Sequence, residues 1–215
     1  IAASATVTTS SSFSVGTSLT VGSSAVFNPS ADTLTFTNGA SIANSGTLGF
    51  SGLKIANSAT VTASGSFSVG GALLVGASAV FSPSNTVTLG NGASIANSGT
   101  LSFTTLTTAT NAAITASGNF TVTADLTLHG GSGSLSSTGN ITVNRHVANP
   151  NVISGAGAII LTGSASGHAL TGDGSYSNVT LNDANGATLS SNVTVSGTLT
   201  LSSGIIATST NTLTI

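Results

Sequence analysis

Few residues of this chain can do acid–base or metal chemistry. Its 215 residues include no Cys, and the four acidic residues are all Asp. The three histidines, His129, His146 and His168, stand far apart. They show neither the His-x-His nor the HExxH spacing of a metal site. The sequence therefore predicts exposed loop histidines and no metal or cofactor.

Two of the aspartates lie in phrases that resemble fragments of calcium loops. Asp173 lies in TGDGSYSN and Asp183 in LNDANGA. A calcium site needs about six to eight oxygen ligands, usually with several carboxylates, and the whole chain has only four acidic residues. We therefore interpret both aspartates as Asx-turn residues, whose side chains hydrogen-bond to nearby backbone.

The sequence also lacks the usual pattern of a hydrolase. Serine is abundant, but no GxSxG motif follows a predicted strand and precedes a helix. Polysaccharide-cleaving β-helices group carboxylates and basic residues in a groove. Here Asp125, Arg145, Asp173 and Asp183 are scattered along the sequence. We expect that the chain is not an enzyme.

Thr-x-Thr is the most regular pattern that could do chemistry. On one flat β-face, such residues would resemble the ice-binding surface of hyperactive antifreeze solenoids, in which threonine hydroxyls and methyls order water. This alternative depends on two strands per turn, and Gly49, Ala72 and Leu74 would interrupt the ladder. Its residues would be Thr6, Thr8, Thr33, Thr35, Thr60, Thr62, Thr86 and Thr88.

The composition excludes several classes of partner. Only 3% of the residues are charged, against about 25% in ordinary domains. Two basic residues cannot neutralise a nucleic-acid backbone or form a polybasic membrane patch. No apolar run reaches the roughly 18 residues of a membrane-spanning helix. A hydrophobic fraction of 39% with a net charge of -2 favours a folded chain over a disordered one.

A tandem block organises the first half of the chain. Residues 1–31 align with residues 55–85 at 22 of 31 positions, and residues 33–53 align with residues 86–106 at 15 of 21. The sequence thus contains repeats over 1–54 and 55–107, a degenerate copy over 108–143, and a divergent part over 144–215. We interpret 1–215 as one continuous unit.

The local pattern within the blocks is that of short β-strands. Apolar residues alternate with Thr or Ser, as in Thr6-Val7-Thr8 and Thr86-Val87-Thr88, which predicts strands with one buried face. Turn-forming residues separate them, including Asn38-Gly39 and Asn91-Gly92. Strands this short are unstable as isolated hairpins, whereas stacked rungs stabilise one another. The sequence therefore predicts an all-β parallel β-solenoid.

The number of strands per turn is harder to predict from the sequence than the strands themselves. Three strands per turn give rungs of about 20 residues, and we favour this form because large bacterial β-helices usually have it. The alternative is a flat two-sided solenoid with rungs of about 13–14 residues. Each block contains eight strand phrases, a number divisible by two but not by three, which supports this alternative. The three-sided form predicts two inward ladders, Val7–Phe27–Leu48–Phe67–Val87 and Phe13–Leu34–Ile55–Val75–Ile95.

The last third of the chain carries a resemblance to a known class. Runs such as NVTVSGTLTLSSG followed by TNTLTI resemble the long repeat-rich secreted surface proteins of the Bacteroidota, and autotransporter-like adhesins use similar phrases. The resemblance covers roughly residues 150–215 directly and the rest in style. It implies an exported adhesin, fibre or coat component, and it provides no catalytic residues to carry over.

These observations predict a structural protein, secreted or at the surface of a bacterial cell. The segment would be a stiff stalk, filament or surface-layer component that self-associates. The sequence begins and ends in mid-pattern, at Ile1 and at TSTNTLTI, so we expect it to be part of a longer protein. Ice binding by the Thr-x-Thr residues is the alternative function.

Overall fold

A computed structural model describes residues 1–29 and 32–215, and all of the regular elements in these residues are β-strands. The strands wind into three parallel sheets, and each turn of the coil contributes one strand to each sheet. The chain is therefore a three-sided β-solenoid, as predicted. The flat two-sided alternative is wrong.

Every third strand belongs to the same sheet. Sheet 1 consists of β1 (Thr6–Val7), β4 (Val26–Phe27), β7 (Thr47–Phe50), β10 (Phe67–Val69), β13 (Thr86–Leu89), β16 (Thr105–Thr108), β19 (Leu126–Thr127), β22 (Val147–Ala148), β25 (His168–Thr171), β28 (Ala187–Leu189) and β31 (Ile206–Ala207). Sheet 2 consists of β2 (Phe13–Val15), β5 (Thr33–Phe36), β8 (Gly52–Ile55), β11 (Ala72–Val75), β14 (Ser94–Asn97), β17 (Ala113–Ser117), β20 (Ser134–Ser137), β23 (Val152–Ser154), β26 (Ser175–Tyr176), β29 (Val193–Val195) and β32 (Leu213–Thr214). Sheet 3 consists of β3 (Ser18–Val21), β6 (Ser41–Asn44), β9 (Thr60–Ser64), β12 (Val80–Pro83), β15 (Thr100–Phe103), β18 (Phe120–Val122), β21 (Ile141–Val143), β24 (Ile159–Leu161), β27 (Val179–Asn182) and β30 (Leu199–Ser203).

Strand pairing fixes which residues stack. The first predicted ladder is confirmed, because Val7 pairs with Phe27, and Phe27 with Leu48. In the same sheet Phe67 pairs with Val87. Inward positions of successive rungs therefore lie directly above one another.

Rung length varies along the coil, and the corners absorb the variation. Asn140 accepts a hydrogen bond from Ala158, which lies 18 residues later on the next rung. His146 accepts one from Ala169, which lies 23 residues later. The strands that follow these corners still pair in register, so extra residues are accommodated in the turns.

The second predicted ladder is correct at two of its four steps, since Ile55 also pairs with Val75, whereas Val75 pairs with Asn97 rather than Ile95. Phe13 pairs with Leu34 as expected, but Leu34 then pairs with Leu53, two residues before Ile55. Strand β8 buries both Leu53 and Ile55 completely, so hydrophobic periodicity alone could not choose between them. The single residue Ser51 between β7 and β8 sets the register.

The interior of the coil is a continuous column of apolar side chains. Aromatic rings from different sheets meet there. Phe36 of sheet 2 is edge-on to Phe50 of sheet 1 at a centroid distance of 6.1 Å, and the ring centroids of Phe67 of sheet 1 and Phe81 of sheet 3 are 6.3 Å apart. Such edge-to-face contacts add to the stabilisation from burial. The core thus needs all three sheets, and no single sheet could bury it.

The tandem blocks rotate around the coil. Each block of eight strands covers two and two-thirds turns, so the second copy starts on a different sheet. The matching strands β2 (Phe13–Val15), β10 (Phe67–Val69) and β18 (Phe120–Val122) lie in sheets 2, 1 and 3. Equivalent sequence therefore occupies each of the three faces in turn.

The recurring phrase IANSGTL forms a tight corner in both copies. Asn44 Oδ1 accepts a hydrogen bond at 3.0 Å from the N–H of Gly46, two residues later in the same corner. Asn44 Nδ2 donates to Ser66 O on the next rung at 2.5 Å. Asn97 makes the same pair of contacts with Gly99 N–H and Asn119 O. The phrase recurs because each copy joins a strand to the rung above it.

Among the described residues, no helix is long and apolar enough to cross a membrane.

Replacing Gly99 by Ala should destabilise the fold. A Cβ at this position would lie 2.4 Å from Ala79 O, so a backbone carbonyl of the previous rung would have to move. We expect Gly99→Ala to lower the free energy of unfolding by about 2 kcal/mol or more, measured by urea denaturation. Gly130→Ala is the matched control, because a Cβ there meets nothing within 4 Å. Equal stability of the two variants would contradict the close rung stacking.

Candidate functional surfaces

The eight threonines of the predicted ice-binding ladder do not lie on one face. Thr6, Thr86 and Thr88 belong to sheet 1, and Thr8 directly follows β1 in that sheet. The pair Thr33 and Thr35 lies in sheet 2, and the pair Thr60 and Thr62 lies in sheet 3. The ladder required two strands per turn, and the three-sided coil distributes it over all three sheets.

The observed register produces a different array of hydroxyl groups, on sheet 3. One outward position of each strand, at the centre of that face, lines up along the solenoid, and nine of the ten residues are Ser or Thr. We call this set the hydroxyl column: Ser18, Ser41, Thr62, Ser82, Ser102, Thr121, Thr142, Ile160, Thr180 and Thr200. Neighbouring members are one rung apart, about 4.8 Å.

The hydroxyl column has different neighbours on its two sides. The neighbouring outward positions of β9, β12 and β15 are Thr60, Val80 and Thr100, so an exposed Val interrupts the second column. For the strands that follow, β18 and β21, the equivalent positions are the corner asparagines Asn119 and Asn140. On the other side lies a shorter row of hydroxyls, which donate to backbone carbonyls of the rung before: Ser64, Ser84, Thr104 and Thr123. Sheet 3 therefore presents one long row of hydroxyls, the column, beside a shorter row whose hydroxyls are bonded to the backbone.

Asparagine side chains link successive rungs at the corner before sheet 3. Asn119 Oδ1 accepts a hydrogen bond from Asn140 N–H at 2.8 Å, and Asn140 Oδ1 accepts one from Ala158 N–H at 2.9 Å. Backbone groups at a corner lie outside the regular sheet ladder and still need partners. From residue type alone, asparagines between short strands predict only turns. Their recurrence at about one rung length was the signal of a ladder.

A surface ion pair joins two rungs at the corner between sheets 3 and 1. Arg145 Nε donates to Asp125 Oδ1 at 2.7 Å, and Arg145 Nη2 donates to Asp125 Oδ2. The Arg145 guanidinium lowers the pKa of the Asp125 carboxyl, against a smaller opposing effect of burial. Because the Arg145 side chain is about half exposed, this pair contributes little to stability.

A buried histidine–aspartate pair lies at the same corner, on later rungs. His168 Nε2 is 3.0 Å from Asp183 Oδ2, and the two side chains are 0% and 6% exposed. The expectation that His168 is an exposed loop residue is therefore wrong, because it is the first residue of β25 and faces inward. His129 is exposed and His146 half-buried.

Asp183 forms the Asx turn that the sequence predicts. Its Oδ1 accepts from Asn185 N–H, two residues on, at 2.9 Å, and its Oδ2 accepts from Ser164 N–H at 2.6 Å. The hydrogen bond from Asn185 N–H is the largest cause that lowers the pKa of Asp183, and the contacts to Ser164 and His168 lower it further. Burial of the carboxyl opposes this shift. Asp173 instead is exposed in a left-handed conformation, and its Oδ1 accepts from Asn192 N–H.

Ser164, His168 and Asp183 are close together but are not arranged for nucleophilic catalysis. A serine nucleophile must hydrogen-bond to the histidine that takes its proton. Ser164 Oγ donates instead to Gly167 O at 2.6 Å, and both His168 ring nitrogens face other oxygens. Within residues 1–29 and 32–215, no group of three or more His or Asp side chains could hold a metal ion.

Comparisons with protein-family models, with curated proteins and with solved structures found no match for this chain.

Acidification should reveal the role of the Asp183 carboxylate. Its folded pKa lies below the unfolded value of about 3.9, so its stabilisation is present above that value and is lost as the pH falls through the folded pKa. We expect Asp183→Asn to be less stable than the parent chain at about pH 7, and the difference in stability to shrink as the pH falls through the folded pKa of Asp183.

Urea denaturation at a series of pH values measures this convergence. Asp173→Asn, at an exposed turn, is the matched control and should lie close to the parent chain throughout. A stability gap for Asp183→Asn that stays constant down to the lowest pH would contradict the assignment.

Proposed function

We propose that this chain is a structural segment of a bacterial extracellular or cell-surface protein, a stiff rod that acts as a stalk, filament, surface-layer or adhesin segment. The resemblance of residues 150–215 to secreted surface repeats supports the location. The continuous three-sided core supports stiffness, because bending the rod would open stacked rungs that pack at crystal-like density.

The rotation of the tandem blocks is the observation that carries this proposal. A function located on one face would be kept by a repeat whose strand number is a multiple of three. This repeat has eight strands, so Phe13-Ser14-Val15, Phe67-Ser68-Val69 and Phe120-Thr121-Val122 face three different directions. Duplication of this block lengthens the rod and continues its core, while the repeated residues move to different faces. That result suits a mechanical role.

The low charge supports association between rods. The described end of sheet 3 leaves Leu201 54% exposed, and Ile205 in the next corner is 74% exposed. One further rung would cover both, whether it came from the same polypeptide or from another copy. Neither the last rung nor the first carries the Lys or Pro residues that usually block edge pairing. With a net charge of -2, electrostatic repulsion between copies is weak.

The purified segment should therefore assemble in a concentration-dependent way into fibres or layers of rods. Eleven rungs at about 4.8 Å predict a unit length of roughly 50 Å, which negative-stain microscopy can measure. Leu201→Lys with Ile205→Lys should shift light scattering towards the monomer, whereas Leu74→Lys, on the side of the rod, should not. A parent chain that stays monomeric at high concentration would count against self-association.

Ice binding remains the second candidate because of the hydroxyl column. Its nine Ser and Thr residues form a straight row on sheet 3, and an ice-binding face also needs low charge. The column contains Ile160, and the shorter row beside it has its hydroxyls bonded to backbone carbonyls, which makes this proposal narrower than a Thr-x-Thr face.

Thermal hysteresis and ice shaping by micromolar protein test this second candidate. If it holds, Thr121→Lys with Thr142→Lys, in the hydroxyl column, should abolish the activity. Thr107→Lys with Thr127→Lys, paired on sheet 1, should leave it unchanged. Absence of hysteresis in the parent chain would remove ice binding and leave the structural proposal untouched.

A further inference from the structure

The buried corner around His168 requires a proton on each side of the imidazole ring. His168 Nδ1 is 2.6 Å from Arg145 O, and a carbonyl oxygen can only accept a hydrogen bond. Nδ1 must therefore carry a proton. On the other side of the ring, Nε2 faces Asp183 Oδ2 at 3.0 Å.

The Asp183 carboxylate cannot turn away from this ring. Each of its oxygens already accepts a backbone N–H, from Ser164 and from Asn185. Without a proton between Nε2 and Oδ2, a nitrogen lone pair would face a carboxylate oxygen in a buried site, which is strongly unfavourable. A neutral imidazole and an ionised carboxylate together hold one N–H proton. The closed corner therefore holds one proton more than these two groups would.

The segment held by this proton is the turn at 162–167 between β24 and β25, which is the longest connection at the sheet 3 to sheet 1 corner. Ser164 fixes it, through its N–H to Asp183, its Oγ to Gly167 O, and its own carbonyl, which accepts from Asn185 Nδ2 at 2.7 Å. Gly163 and Gly167 have positive φ angles of 75° and 81° at its two ends.

We propose that the His168–Asp183 pair is a proton-dependent clasp that keeps the 162–167 turn closed on the rung above it. When the shared proton passes to solvent base, the hydrogen bond between Nε2 and Oδ2 is lost, Asp183 is repelled, and Ser164 loses its anchor. The turn then opens about its two glycines, while the stacked strands on either side remain paired.

The other charged groups at this corner do not supply the proton. On the rung below, Arg145 is committed to Asp125 at the surface. His146 Nδ1 accepts from Ala169 N–H at 3.0 Å, so that nitrogen must be unprotonated. On the rung above, Asp183 is the only ionisable residue of the corner, and β25 itself has none besides His168. Two histidines on neighbouring rungs thus have opposite proton requirements.

Nitrogen-15 NMR of the imidazoles in the full chain tests the clasp directly, with acetylhistidine amide in the same tube as a reference. At about pH 7, where a free imidazole is largely neutral, we expect both His168 nitrogens to be protonated and His146 Nδ1 to be bare. A His168 ring that titrates together with the reference would overturn the proposal, whatever any variant does.

Amide hydrogen exchange of Ser164 then tests the opening. Above the pH at which His168 loses its proton, the open fraction of the turn should increase about tenfold per pH unit, after correction for intrinsic exchange. His168→Gln, which cannot titrate, should abolish this dependence, and His129→Gln should preserve it. Ser164 protection that does not change with pH in the parent chain would contradict the clasp.

Discussion

Each interior strand of this chain hydrogen-bonds to one strand on the rung before it and to another on the rung after it, and this rung-on-rung pairing governs the remaining features. Because the pairs are parallel and in register, like positions stack into columns. Inward columns form one apolar core, and outward columns form rows of small polar residues. A strand of two to five residues could not fold alone, so each rung depends on its neighbours.

The corners must allow this stacking without leaving backbone groups unpaired. Glycine is required where a side chain would meet the previous rung, as at Gly46, where a Cβ would lie 2.3 Å from Ala25 O. Asparagine is used where a backbone N–H of the next rung lacks a sheet partner, as at Asn140. The one described corner that uses charged and titratable side chains in its interior is held by His168 and Asp183. A rod with few ionisable groups therefore has its buried histidine–aspartate pair at its longest sheet 3 to sheet 1 turn.

Much of the fold could be predicted from the sequence, because alternation and the tandem block are local signals. They indicated the strands, the solenoid and the ladder from Val7 through Phe27 and Leu48. The step from Leu34 to Leu53 could not be predicted, since Leu53 and Ile55 are equally apolar and only the length of the preceding turn separates them. The positions of the candidate site residues depend on the strand register and were therefore harder to predict. The threonines at 6, 33, 60 and 86 recur with the block and not with the rung, so they separate onto three sheets. His168 seemed an isolated histidine because Asp183 approaches it only across a rung.

Engineered cysteine pairs test whether each turn of the coil contains three strands, because the chain has no Cys of its own. Thr107 and Thr127 are outward neighbours on adjacent strands of sheet 1, close enough for a disulfide, which needs Cα atoms about 4.4–6.8 Å apart. Thr107 and Thr121 lie on different sheets, although their separation in sequence matches one turn of a two-sided coil. We predict that Thr107→Cys with Thr127→Cys forms an intramolecular disulfide on mild oxidation, and that Thr107→Cys with Thr121→Cys does not. The reverse result would contradict the three-sided solenoid and every inference drawn from its register.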